Sequence, residues 1–175
     1  KKKATGESWY VGDTYNIAIG QGDLRATPLQ VAAANAVIAN GGKLVKPHLL
    51  KSIGLDKNSQ KPAKTETIRD NFIAADKIKI VQEGMKQAIL GGTACCSIKS
   101  QVPTQVAGKT GTAETSSEGF DGKNPRTKPH AWFTSFAPAD SPRFSMVVMV
   151  ENSGEGAEFA LPVSRESLKW FFTNR

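Results

Sequence analysis

The sequence predicts an α+β fold in which an antiparallel sheet is flanked by helices. Three observations predict it. Residues 130–138 and 144–151 are alternating or apolar stretches joined by a short turn-like segment, the pattern of an antiparallel strand pair. A third extended stretch precedes them: Val106-Ala107-Gly108-Lys109-Thr110-Gly111-Thr112-Ala113-Glu114. Helical patterns with start and stop signals come before these strands and another follows them, an order that places helices on the sheet faces. At 175 residues the chain is the size of one domain or a piece of one, able to bury roughly 70% of its unfolded surface.

Residues 4–26 are rich in glycine and aromatic residues. Gly20 and Gly22 are followed by Arg25 rather than a third glycine, so the dinucleotide-binding fingerprint fails. Thr27, Pro28 and Gln30 supply the N-cap, the first helical position and the capping-box partner of a helix. Its alanine-rich body, 29–40, ends at Gly41-Gly42, and so many small side chains predict a buried, structural helix. Residues 43–54 read as one or two strands broken at Pro47, with Leu44, Val45, Leu49, Leu50 and Ile53 apolar. A polar turn over 56–63 follows, containing Lys57, Asn58, Ser59 and Pro62. Ile78, Val81, Met85, Ala88 and Ile89 recur at helical spacing and predict a helix over 76–90, stopped by Gly91-Gly92.

Residues 91–104 read as a loop into the central extended stretch, and 115–129 as a long polar loop leaving it, of the kind that gates a site. In the strand at 130–138, Trp132, Thr134 and Phe136 alternate with Ala131, Phe133, Ser135 and Ala137. The stretch 144–151 is apolar on nearly both faces and predicts a central strand covered on both sides. Pro162 predicts the start of a final helix that docks Val163, Leu168, Trp170, Phe171 and Phe172 on the sheet.

Hydrophobic residues at 39% and charged residues at 22% describe an ordinary globular chain. The net charge is +7, but the lysines are scattered and the aromatics, at 7%, are not interleaved with them, so no nucleic-acid partner is expected. The longest purely apolar run, 146–150, is far too short to cross a bilayer. A start at Lys1 rather than methionine, with no apolar run behind it, leads us to expect an internal cut or processing site. Any targeting or anchoring segment is then expected outside this chain. Cys95 and Cys96 are adjacent, which disfavours an unstrained disulfide, and no Cys or His spacing suggests zinc; neither metal nor cofactor is expected.

Candidate chemistry concentrates in the stretch around Lys109. In a strand, Lys109 and Gly111 point one way and Thr110 and Thr112 the other. Twist or bulging at Gly108 and Gly111 would bring the lysine and both hydroxyls toward one ligand, and glycines there suit close approach of another backbone. A fixed cation, two hydroxyls and free main-chain groups are what holding an extended peptide and its carboxylate requires. His48 and His130 each follow a proline and read as turn or packing residues. Asp13, Asp23 and Glu114 read as solvated or capping carboxylates, and Ser116-Ser117 has no base nearby in sequence.

Lys-Thr-Gly is also the third signature of serine-acylating penicillin-binding proteins and β-lactamases. Further matching stretches are Trp9, Gly12-Asp13-Thr14, Asn16, Ile19-Gly20-Gln21-Gly22, Thr27-Pro28-Leu29-Gln30, Gly41-Gly42 with Pro47-His48, and His130-Ala131-Trp132-Phe133. Together and in this order they resemble the C-terminal half of the transpeptidase domain of class B penicillin-binding proteins, in its cell-elongation branch. The resemblance implies that residues 1–175 form part of a penicillin-binding/β-lactamase-like transpeptidase fold. It implies a D,D-transpeptidase that cross-links peptidoglycan stem peptides through an acyl-serine, and that β-lactam antibiotics acylate the same serine. Carried over, Lys109 supplies positive potential, Thr110 and Thr112 bind the terminal carboxylate, the Thr112 N–H is an oxyanion donor, and Gly111 leaves room for the substrate as an added strand.

The implied partners are the stem peptide, β-lactams, cell-elongation membrane proteins and the N-terminal half of the same domain. The implied location is the periplasmic side of the inner membrane, with the anchor outside this chain. The departure from the family pattern is the absence of Ser-x-x-Lys and Ser-x-Asn: Ser97 is followed by Ile98-Lys99-Ser100 and Ser167 by Leu168-Lys169-Trp170. In the family these motifs lie before the region covered here, so the fragment alone is expected to be inactive. Two other readings use the same strand, a penicillin-recognising hydrolase or sensor and a non-catalytic peptide- or polymer-binding module. The stretches at 9–22 and 27–30 speak against the first, and an upstream nucleophile would separate the second from the transpeptidase.

Overall fold

A computed structural model of the chain describes residues 1–56, 58–95, 97–115 and 122–174. Lys57, Cys96 and the Ser116-Ser117 pair lie outside the described residues, as does the middle of the polar loop at 115–129. In chain order the elements are α1 (Lys2–Thr5), α2 (Val11–Ala18), α3 (Pro28–Ala39), β1 (Leu44–Val45), β2 (Ser52–Ile53), β3 (Lys61–Pro62), β4 (Thr67–Arg69) and α4 (Ala75–Leu90). Then come β5 (Ala107–Ala113), a 3₁₀ turn (Pro125–Thr127), β6 (His130–Ala137), β7 (Phe144–Val150) and α5 (Gly156–Asn174).

The main sheet is antiparallel in the order β5-β6-β7. Strand alternation divides it into two faces. Ala107, Lys109, Gly111 and Ala113 share one face with their cross-strand partners Phe136, Thr134, Trp132 and His130. On that face α3 packs over β6 and β7. The opposite face presents Ala131, Phe133 and Ala137 to Ile89 of α4 and to Ala160, Leu161 and Leu168 of α5. Burial of this apolar surface is the main force holding the layers together.

α3 begins as its residues dictate. The Thr27 hydroxyl accepts from the Gln30 N–H at 3.3 Å, and the Thr27 N–H donates to the Gln30 side chain at 2.8 Å. Gly41 and Gly42 follow the C-cap with φ of 82° and 115°, a conformation that glycine alone adopts without penalty. The helix is not buried throughout: Asn35, Val37 and Ala39 are buried, whereas Leu29 faces outward. In α4 the buried positions are Ile78, Met85 and Ile89, while Val81 is exposed. Gln82 takes its place on the inward side, its amide donating to the Ile38 carbonyl at 2.7 Å.

Two further expectations need correction. β7 is not the central strand but an edge of the sheet among the described residues; β6 is central. β7 reads as apolar on both sides because α3 covers one face and α5 the other. The final helix does not open at Pro162 but at Gly156, with Pro162 inside it. Proline there removes one helical hydrogen bond, the one to the carbonyl of exposed Glu158. The pair of strands expected within 43–54, broken at Pro47, is present as β1 and β2. Leu49, Leu50 and Ile53 are exposed, and β1 and β2 belong to separate two-stranded sheets with β4 and β3.

Among its described residues the loop at 91–104 contains no helix or strand, yet Ala94, Ile98 and Val102 are core residues beneath the sheet. Among the described residues no helix is long and apolar enough to cross a membrane.

Candidate active site

β5 has β6 on one side only, so its other edge is open among the described residues. The Thr110 carbonyl accepts from Lys109 Nζ at 2.8 Å, and the Thr112 carbonyl accepts from Gln21 Nε2 at 3.0 Å. In an antiparallel strand the N–H and C=O of one residue point to the same edge, so the N–H groups of Thr110 and Thr112 also face away from β6. This is the geometry that an added peptide strand requires.

The side chains divide as alternation demands, with one addition. The β5–β6 register runs without interruption from Ala107 to Ala113, so no bulge reorients the glycines. Instead the long stem of Lys109 curls around the open edge, bringing its ammonium to 3.4 Å from Thr110 Oγ1 on the other side. Of the two hydroxyls expected beside the lysine, only that of Thr110 comes close, through the reach of the Lys109 side chain and not through the backbone; the Thr112 hydroxyl turns instead to Glu155. Thr110 Oγ1 lies 3.1 Å from Thr93 Oγ1, in the turn after α4. Thr112 Oγ1 donates to Glu155 Oε2 at 2.9 Å and accepts from the Gly156 N–H at 3.4 Å.

The glycines are required for different reasons. A Cβ on Gly108 would stand 2.7 Å from Phe133 Cζ and 2.8 Å from the Thr134 carbonyl, both within the sheet. A Cβ on Gly111 would meet Trp132 Cβ at 3.2 Å, on the face that lines the groove. That groove, of about 500 Å³, runs between the β5–β6 face and residues Ile19, Leu24 and Arg25, with Lys109 and Trp132 on its wall. Its surface is mainly apolar with a few polar groups, the usual make-up of a ligand cleft.

Three of the remaining candidates, His130, His48 and Asp13, are occupied structurally. His130 Nδ1 accepts from the Asn152 N–H at 2.9 Å, and His48 Nδ1 lies 2.8 Å from the Leu50 carbonyl. Asp13 accepts from the Tyr10 N–H at the start of α2 and from Lys1. The Lys1 ammonium hydrogen bond, followed by the Tyr10 N–H, holds the Asp13 carboxyl below its ordinary value. Cys95 is half-buried in the turn after α4. Among the described residues no group of His, Cys, Asp and Glu side chains could hold a metal ion. Sequence reasoning did not find Thr93, Glu155 or Gly156. None carries a local signal, because each matters only through a contact with β5 that folding creates.

A family description, "Penicillin binding protein transpeptidase domain", matches residues 1–169. The peptidoglycan D,D-transpeptidase MrdA of Haemophilus influenzae is 34% identical over 185 aligned residues, which cover 100% of this chain and 28% of that protein. The chain thus spans under a third of the length of this curated relative. Among solved structures, a penicillin-binding protein PBP2 in complex with MreC from Helicobacter pylori superposes with a TM-score of 0.76 at 30% identity. That match covers 99% of this chain and 30% of the other. The penicillin G acyl-enzyme complex of penicillin-binding protein A from M. tuberculosis gives a TM-score of 0.66 at 30% identity, covering 91% of this chain and 34% of the other. With nearly its whole length matched and the open Lys-Thr-Gly edge in place, the chain belongs to the penicillin-binding protein transpeptidase domain family.

Proposed function

We propose that residues 1–175 are the C-terminal part of a serine D,D-transpeptidase domain and supply the strand on which the acyl donor lies. The observation that carries this reading is the outer edge of β5, where Thr110 and Thr112 turn their main-chain groups away from β6 beside a lysine ammonium. An extended stem peptide pairs with this edge. The Thr110 and Thr112 hydroxyls hold its terminal carboxylate, and Lys109 provides the positive potential that draws that carboxylate in. Gly111 keeps the groove beside Trp132 open.

The nucleophilic serine and its lysine belong to the preceding part of the same domain, since this sequence holds no Ser-x-x-Lys. The serine oxygen bonds to the penultimate D-Ala carbonyl carbon, the peptide bond to the last D-Ala breaks, and that D-Ala leaves with a proton. The developing oxyanion is held by the Thr112 N–H, and an amine from a second stem then takes the acyl group. β-Lactams enter by the same route. The cleft on this chain is half of the whole, so the chain alone does not transfer an acyl group. The enzyme works at the periplasmic side of the inner membrane, anchored by a segment outside this chain, beside elongation proteins. The Helicobacter complex with MreC supports that last point by relationship.

The test is acylation of the whole protein by a fluorescent penicillin. We expect rapid labelling of the wild type and a loss of at least about a hundredfold in Lys109→Ala, the scale at which removing one transition-state stabiliser is felt. A Lys109→Ala protein labelled at the wild-type rate would sink the role given to Lys109. A covalent adduct on the isolated chain would overturn the assignment of the nucleophile to the preceding part.

A further inference from the structure

Thr112 is already bound to a carboxylate. Its hydroxyl hydrogen goes to Glu155 Oε2 at 2.9 Å, and its oxygen receives the Gly156 N–H at 3.4 Å. Glu155 stands immediately before α5 and is exposed, so its side chain is free to swing away. The close approach of Gly156 to the backbone of Gly111 and Trp132 fixes the start of α5, and with it Glu155, against β5. A carboxylate aimed at the hydroxyl that would receive a carboxylate ligand is therefore built into the fold.

We infer that Glu155 is a specificity-determining residue of the cleft: its carboxylate occupies the Thr112 hydroxyl in the free protein, and the donor's carboxylate must displace it. The inference rests on the transpeptidase reading, in which Thr112 binds the donor carboxylate. Glu155 makes the site discriminate against anionic ligands in proportion to their charge near Thr112. Once displaced, it still stands near the bound donor as a like charge. A purely structural role exists for comparison, since a carboxylate near a helix N-terminus favours the helix. That role touches every ligand alike, whereas displacement touches only ligands that carry the competing carboxylate.

The experiment compares acylation rates of the whole protein by benzylpenicillin and by its methyl ester, which lacks the carboxylate charge. Glu155→Gln keeps the size of the side chain and an acceptor for Thr112 but removes the charge. We expect the benzylpenicillin-to-ester rate ratio to rise roughly fivefold, the effect of one unit charge about 4 Å from another in water-like surroundings. Glu155→Ala should raise the ratio as well, which covers the case in which one variant folds poorly. Thr112→Val should lower it. If Thr112→Val lowers the ratio while both Glu155 variants leave it unchanged, the inference fails and the reading of Thr112 stands. If Thr112→Val leaves the ratio unchanged, the carboxylate role of Thr112 fails and this inference falls with it.

Discussion

Gly156 is the most tightly enclosed of the described glycines. There the first turn of α5 crosses the paired residues Gly111 and Trp132, and a Cβ would lie 2.4 Å from both of their carbonyl oxygens. Neither neighbour is a side chain that could rotate away, so an added methyl must push the helix off the strand. Gly156→Ala is expected to destabilise the protein by about 1–3 kcal/mol, the usual cost of overpacking. Gly84→Ala is the control. That glycine lies inside α4 with nothing within 4 Å of an added Cβ, so the substitution should stabilise by about 0.5–1 kcal/mol. Thermal or urea unfolding of the two variants checks the opposite signs, and a neutral Gly156→Ala would show that α5 does not press on β5. Glycines 108 and 111 were legible as close-approach positions because they interrupt a strand-like stretch. Gly156 was not, since its neighbours are backbone atoms far away in the sequence.

Elements formed by local chemistry were the readable ones. Thr27, Pro28 and Gln30 announce α3 because the capping box closes within a single turn. The face of α4 was misread at Val81 because Gln82, a polar residue, serves a buried purpose by bonding α3 at Ile38. The short strands β1 to β4 are two or three residues long and exist through pairings such as Leu44 with Arg69, which no local period announces. One of these pairs depends on a carboxylate. In the turn between β2 and β3, Asp56 Oδ1 accepts the N–H groups of Ser59 and Asn58, each at 2.8 Å. The Ser59 N–H first, then that of Asn58, holds the Asp56 carboxyl below the ordinary aspartate value of 3.8. A depressed folded pKa means that this stabilisation is complete above the ordinary value and is lost as pH falls through the lower, folded one. The β2–β3 hairpin should therefore loosen only in that acidic window. Amide shifts and hydrogen exchange at Asn58 and Ser59, followed against pH, test this. The transition should vanish in Asp56→Asn, and its persistence there would assign it to another group.

At the scale of the whole molecule, helices lie on both faces of a sheet whose central strand is fastened to each side by a polar pin. From α3, the buried Asn35 amide donates to the Ser135 carbonyl at 2.8 Å and to Ser145 Oγ at 2.9 Å. From α5, Ser164 Oγ lies 3.1 Å from Ser135 Oγ, and both serines are fully buried. The layered order was legible from the succession of elements, but the pins were not, because serine and asparagine in an apolar pattern do not name their partners. Apolar packing brings the layers together without direction, and these hydrogen bonds select one docking position for each helix. A single Ser135→Ala or Ser164→Ala leaves the other hydroxyl buried without that partner, at an expected cost of about 1–3 kcal/mol. Replacing both leaves no orphan, and apolar pairs of similar shape are close to neutral in such a place. The double variant should therefore be less destabilised than the sum of the singles, with a coupling of about 0.5–3 kcal/mol. Urea unfolding of the four proteins in the cycle measures it. Strict additivity would mean that the two hydroxyls do not meet in solution, and that α5 is held to the central strand by apolar packing alone.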